Sequence, residues 1–273
     1  MIESKPEWLI VEQRSAPLIV SIPHAGVELR GYEKRFVDPW LARKDADWRL
    51  EELYDFAADL GATVVRTTLS RSLIDVNRDP SGASLYPGQA TTELCPTTTF
   101  DGEPLYRDGE APGADEIAER TRRYFEPYHA ALHGEIARLR EGHSRIALYD
   151  AHSIRSRIPR LFEGELPVFN LGLNSDTSCS RPVRQAIGAA LATCGESFVV
   201  DGRFKGGWIT RSFGRPEEGV EAVQMELACR AYMVEPKAYS ARTWPRPLDP
   251  KRATSTRATL KRVLEAILER VGK

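Results

Sequence analysis

An apolar run, an amphipathic segment and a second apolar run follow one another between residues 17 and 69, and that order restricts the chain to few architectures. Residues 17–23 read Pro-Leu-Ile-Val-Ser-Ile-Pro. A short apolar stretch closed by proline predicts a buried strand from Leu18 to Ile22. Residues 47–60 carry Leu50, Leu53, Tyr54, Ala57 and Leu60 at helical spacing, which predicts one amphipathic helix. Residues 62–69, with Val64 and Val65 at the centre, predict a second strand. Parallel strands need a crossover, usually helical, so this order predicts an α/β fold with at least a partly parallel sheet.

Further along, residues 79–113 are rich in Pro, Gly, Thr and Asp and show no period. They predict a long loop, and loops of that length in compact domains are often functional. Residues 114–140 predict a helix that Pro127 kinks or divides. Strands are predicted over 145–151, 166–171 and 220–227, and helices over 182–194 and 255–271. Neither an internal repeat nor a linker interrupts the chain, so residues 1–273 predict a single domain.

Composition narrows the function. The 38 Lys plus Arg balance 39 Asp plus Glu, which argues against a nucleic-acid binder. No apolar run reaches the roughly 18 residues of a membrane span. Residues 1–8 carry charges and a proline rather than an apolar signal segment. Cys95, Cys179, Cys194 and Cys229 form no Cys-x-x-Cys pair, so reduced thiols in a cytoplasmic protein are the expectation. Oligomeric state stays open.

Two of the five histidines end predicted strands: His24 in Ser21-Ile22-Pro23-His24-Ala25-Gly26, and His152 in Asp150-Ala151-His152-Ser153. Ligands of open α/β sheets bind beyond the carboxyl ends of strands, so the pair could meet on one metal, or each could be an ordinary loop histidine. A catalytic zinc takes three protein ligands and keeps one position open. Asp45 and Asp47 precede the first predicted helix; both suit helix caps, and Asp47 is the preferred third ligand if His24 is one. His129 and His133 have the i, i+4 spacing of a zinc helix but lack the Glu that follows the first histidine, and read better as pocket-wall or core residues. Ser70 to Asp79 places Arg71 and Arg78 beside Asn77, either as a turn with ion pairs or as an anion site. The segment Phe204-Lys205-Gly206-Gly207-Trp208-Ile209-Thr210-Arg211 reads as a hairpin turn or as a substrate-covering loop presenting Lys205, Thr210 and Arg211. Glu226 interrupts an apolar strand, so it faces solvent on an edge or is a functional carboxylate.

These segments together resemble the N-formylglutamate amidohydrolase family: residues 21–26, 47–54, 70–78, 150–154, 205–214, and Gln224-Met225-Glu226-Leu227 with Tyr232-Met233. They occur in the family's order and span most of the chain. The family is similar in fold to zinc carboxypeptidases and to aspartoacylase and succinylglutamate desuccinylase. The resemblance implies one three-layer α/β/α domain around a mixed, mostly parallel sheet. Aspartoacylase-like enzymes use a His-x-x-Glu zinc motif, whereas Val27 stands where that Glu would fall, so Asp47 is inferred as the substitute. Segment 71–78 looks like the Arg and Asn-Arg element that polarises the acyl carbonyl and holds a substrate carboxylate in those relatives, and Glu226 resembles their general acid/base.

The implied reaction is metal-dependent hydrolysis of N-formyl-L-glutamate to formate and glutamate, in histidine degradation. A divalent ion, zinc first, would be held by His24, Asp47 and His152, with Arg71 at the oxyanion and Asn77 and Arg78 on one carboxylate. Lys205 or Arg211 is the candidate for the second carboxylate. The alternatives are the same chemistry on another N-acyl amino acid, a binding protein keeping the fold, and a metal-independent hydrolase using Ser153 or Ser70. Neither serine lies in a nucleophile elbow.

Overall fold

A computed structural model describes residues 6–272, so the charged N-terminal stretch read above begins outside the described residues. Seven strands form one sheet: β1 (Leu9–Glu12), β2 (Leu18–Ile22), β3 (Thr63–Thr67), β4 (Ile146–Ile154), β5 (Phe169–Gly172), β6 (Phe198–Val200) and β7 (Val220–Ala228). Their spatial order is β1-β3-β2-β4-β7-β5-β6. The four central strands β3, β2, β4 and β7 are parallel, β1 and β5 join them antiparallel, and β6 pairs parallel with β5. The sheet is therefore mixed and mostly parallel, as expected.

The helices are α1 (Leu41–Lys44), α2 (Leu50–Leu53), α3 (Ala114–Arg120), α4 (Glu126–Arg140), α5 (Arg181–Ala192), α6 (Trp208–Phe213) and α7 (Pro250–Val271). Alternation along the strands assigns them to two layers. Val20 and Ile22 of β2, Tyr149 of β4 and Met225 of β7 join Val183 and Ile187 of α5 and Leu260 and Leu264 of α7 in one apolar cluster. Ile19, Ile146 and Leu148 point the other way, into a cluster with Tyr128 and Leu132 of α4 and Ile209 and Phe213 of α6. On this second side the apolar alternation turns polar near the strand ends. Ser21, Asp150, His152, Gln224 and Glu226 take the places where Val, Leu or Ile would continue the core, and all are buried.

Several boundaries depart from the sequence reading. The single helix over 47–60 is instead one α-turn, α2, followed by a 3-10 segment Asp55–Ala58. Arg49 adopts φ 66, in the left-handed region, and stops the helix from reaching back to Asp47. Neither Asp45 nor Asp47 is the N-cap of the helix that follows, a position held by Arg49: Asp45 accepts the Phe100 N–H, and Asp47 accepts the Ser153 N–H. The helix over 114–140 is continuous but widens into a π-turn at Thr121–Phe125, just before Pro127. Proline offers no N–H and crowds the carbonyl four residues back, and a wider turn relieves both. Strand β4 runs three residues past its predicted end, so His152 lies within the strand. The Gly206-Gly207 segment leads into helix α6 rather than forming a hairpin.

Candidate active site

The polar strand ends converge beyond the carboxyl edge of β2, β4 and β7, where open α/β sheets bind ligands. His24 lies two residues past β2, on a segment pressed against the end of β3. A Cβ on Gly26 would stand 2.2 Å from the Thr68 carbonyl carbon, so only glycine allows that approach. Asp47 is tied to the same segment by its backbone N–H, which donates to the His24 carbonyl at 2.9 Å.

His24, Asp47 and His152 each present one ligand atom, and these atoms lie within 4.8 Å of one another. Asp47 Oδ2 is 3.7 Å from His24 Nδ1 and 3.2 Å from His152 Nδ1. The opposite ring nitrogens are each anchored to a carboxylate. His24 Nε2 meets Asp75 Oδ1 at 2.7 Å, and His152 Nε2 meets Asp150 Oδ2 at 2.8 Å. A carboxylate behind each imidazole orients the ring and aims Nδ1 at the cluster. Buried His24 Nδ1 and Asp47 Oδ1 have no hydrogen-bond partner. Orphaned buried donors and acceptors call for a missing partner, and two imidazoles with a carboxylate fit a divalent cation such as zinc.

The electrostatics agree with this donor set. Burial, then the nearby Arg71 charge, holds His24 below its ordinary pKa, so the ring is a ready neutral ligand. His152 goes the other way: against the cost of burial, Asp150 and Asp47 push it well above its ordinary value. A cation binding there has to displace the proton on Nδ1. Despite burial, Asp47 stays below the usual carboxylate range through His152, His24 and Arg71.

Glu226 lies on β7 directly across from His152 on β4. It is neither on an edge nor in solvent, since β7 runs between β4 and β5. Burial pushes its carboxyl up to about 8, so it is a group able to exchange a proton near neutral pH. A cation beside it would lower that value. His24, His152, Glu226, Arg71 and Arg78 all line one pocket. Arg71 Nη2 donates to Asp75 Oδ2 at 2.7 Å, and its guanidinium lies over the Phe100 ring. Arg78 donates to Thr92 Oγ1 and keeps Nε 3.5 Å from Asp75 Oδ2.

Other predicted residues are placed differently. Asn77 lines the pocket, but its side chain is already engaged. Nδ2 donates to Asp150 Oδ2 at 3.0 Å, and Oδ1 accepts the Ile209 N–H at 2.7 Å. Asn77 therefore braces β4 against the start of α6 from within the pocket lining. Lys205 is exposed, Thr210 is buried, and Arg211 donates to the Gly206 carbonyl and lies against Tyr86. None of the three lines the pocket. His129 is buried, stacked on Phe125 and bonded to the Val76 carbonyl, the core role of the two expected for it. Ser153 Oγ accepts from Tyr232 and Ser70 Oγ donates to the Ala42 carbonyl, so neither serine is paired with a histidine.

Sequence reasoning missed Asp75, Asp150, Gln224 and Arg203. Asp150 was visible two residues before His152, hence on the same face of a strand. Gln224 stands in the same relation to Glu226, and its Oε1 accepts the Gly207 N–H at 2.7 Å. Asp75 sits between Arg71 and Arg78 and serves both, together with His24.

A family model described as N-formylglutamate amidohydrolase matches residues 16–233. The chain is 42% identical over 262 residues to an N-formylglutamate deformylase of Pseudomonas putida, covering 95% of each. It is likewise 42% identical over 266 residues to one of Pseudomonas aeruginosa, covering 96% of each. Among solved structures, an N-formylglutamate amidohydrolase from Ralstonia eutropha JMP134 superposes with a TM-score of 0.78 at 24% identity, over 97% of this chain and 98% of that one. The gene product Atu2144 from Agrobacterium tumefaciens shares the fold with a TM-score of 0.71 at 14% identity, over 98% of each chain.

Proposed function

Since the chain belongs to the N-formylglutamate amidohydrolase family, we propose that it hydrolyses N-formyl-L-glutamate to formate and L-glutamate with a divalent cation held by His24, Asp47 and His152. The observation that carries this reading is the meeting, in one pocket, of two carboxylate-backed imidazoles, a buried protonable Glu226 and guanidinium groups. We read residues 1–273 as one catalytic domain working in histidine degradation in the cytoplasm; all four cysteines are free thiols, in keeping with a reducing compartment. No helix among the described residues is long and apolar enough to cross a membrane.

A divalent ion at this site, zinc first, supplies Lewis acidity and lowers the pKa of water. Glu226 takes the proton of the attacking water as its oxygen bonds to the formyl carbon. The same carboxyl then delivers that proton to the amide nitrogen as the carbon–nitrogen bond breaks, releasing formate and the amine of glutamate. Arg71 donates to the oxygen that gains charge in the tetrahedral intermediate; removing one such donor typically costs about 3 kcal/mol. Asp75 holds Arg71 in place for this task. Arg78, tethered through Thr92 and Asp75, pairs with a substrate carboxylate.

The direct test is formate release from N-formyl-L-glutamate by metal-stripped protein, before and after zinc is added. Activity that appears only with the ion supports both substrate and cofactor. Ion binding without formate release rejects the substrate and sends the search to other N-acyl amino acids.

A further inference from the structure

N-formylglutamate carries two carboxylates, and the residues discussed so far provide for one. The second cation was expected at Lys205 or Arg211, yet neither lines the pocket. Arg203 does. Its Nε donates to the Leu161 carbonyl at 2.7 Å and its Nη2 to the Ala90 carbonyl at 2.9 Å. Its guanidinium lies 5.4 Å from the Tyr86 ring centre and 5.2 Å from that of Phe204. Two of its five N–H donors are thus used to fix the fork, and the others remain for a ligand.

What sets Arg203 apart is its lack of a counter-charge. Arg71 and Arg78 both lean on Asp75. Among the described residues, Arg203 forms no ion pair and bonds only to neutral carbonyls. Burial, the largest effect, together with repulsion from Arg78 outweighs the favourable influence of Tyr86 and Glu226 on its charge. A half-buried guanidinium held rigid in a pocket wall, next to a second guanidinium and without a carboxylate of its own, is arranged for an incoming anion.

We propose that Arg203 binds the side-chain carboxylate of the substrate, while Arg78 takes the α-carboxylate. The assignment follows connectivity. Arg78 shares Asp75 with His24 and so belongs to the network around the scissile amide, to which the α-carboxylate is close. Arg203 is anchored to Leu161 and Ala90, outside that network, where the longer arm of glutamate reaches. This inference rests on the proposed substrate and adds the residue that selects its acidic side chain.

The test compares N-formyl-L-glutamate with N-formyl-L-glutamine, which is similar in shape but neutral at the side chain. In Arg203→Gln, KM for N-formyl-L-glutamate should rise roughly 10- to 100-fold with kcat little changed. Turnover of N-formyl-L-glutamine should stay near wild type, so the preference for the acid collapses. A purely structural role would lower both substrates alike, and that result, or an unchanged preference, overturns the proposal. Should Arg203→Gln not fold, Arg203→Lys serves: an ammonium cannot reproduce a fork, so the preference should still drop several-fold. An Arg203→Lys preference equal to wild type also overturns it. Calorimetric binding of glutarate against butyrate separates this inference from the substrate assignment. Glutarate affinity that falls in Arg203→Gln while butyrate affinity does not supports the inference even where N-formyl-L-glutamate is not turned over. Equal affinities in wild type and variant overturn it even where N-formyl-L-glutamate is hydrolysed.

Discussion

His152 and Glu226 stand opposite each other on adjacent parallel strands, in register and on the same side of the sheet. The backbone ladder thus sets the spacing between a proposed ligand and the proposed acid/base, with no loop between them. For Glu226→Gln, kcat should fall by about 10²- to 10⁴-fold, the range for losing a general acid/base, while KM changes little. Steady-state kinetics decides, and a normal kcat removes Glu226 from the chemistry.

Stripping the ion should also lower stability, because only the folded chain brings His24, Asp47 and His152 together. At a hundredfold excess over its dissociation constant a ligand stabilises by about 2.7 kcal/mol. In a chain of this size that is roughly 5 °C in Tm. Thermal melts with and without zinc after chelation check this, and superimposed melts would mean that zinc does not bind the folded chain in preference to the unfolded one.

Asp150 touches no pocket ligand atom, yet it holds His152 Nε2, Asn77 Nδ2 and Ser21 Oγ together. Asp150→Asn should weaken zinc binding roughly 10- to 100-fold, the usual effect of losing a carboxylate behind a ligating imidazole. Competition against a chromophoric chelator measures it. An unaltered affinity would mean that the ring needs no such partner.

His129 makes stability depend on pH away from the site. Burial holds its pKa at about 4, against 6.5 for a free histidine. The unfolded chain therefore takes up a proton between those values while the folded one does not. The contribution of the neutral ring is complete above about 6.5 and is lost as pH falls toward 4, by up to roughly 3 kcal/mol. In His129→Gln the amide can still donate to the Val76 carbonyl but does not titrate. Denaturant melts at pH 7 and 4.5 should show a smaller drop for the variant; the same drop in both proteins would count against His129 as the source.

Much of the architecture was legible because periodicity reports burial. The runs that became β2, β4 and β7 and the stripe of α5 follow the rules for core-facing elements. The reading failed where local backbone or function overrode the pattern. A stripe of leucines cannot reveal that Arg49 turns left-handed, so the first helix was drawn too long. His152 and Ser153 made β4 look finished three residues early, because a buried strand seldom carries such groups unless they are used. At the site, His24, Asp47 and His152 could be named from strand ends and resemblance, and the structure brings them together. Arg203 and Asp75 escaped because their value lies in partners distant in sequence, Leu161 and Ala90 for one and His24 for the other.

The central position of β4, flanked by β2 on one side and β7 on the other, has a kinetic consequence. Parallel neighbours this far apart in the chain must close long loops before any pairing is rewarded, so the sheet core should assemble late and slowly. Positions 24, 47, 152 and 226 are brought together only when both flanking strands have docked. A refolding chain should therefore acquire its native ion affinity in the last observable phase, at the same rate at which β7 becomes protected from hydrogen exchange.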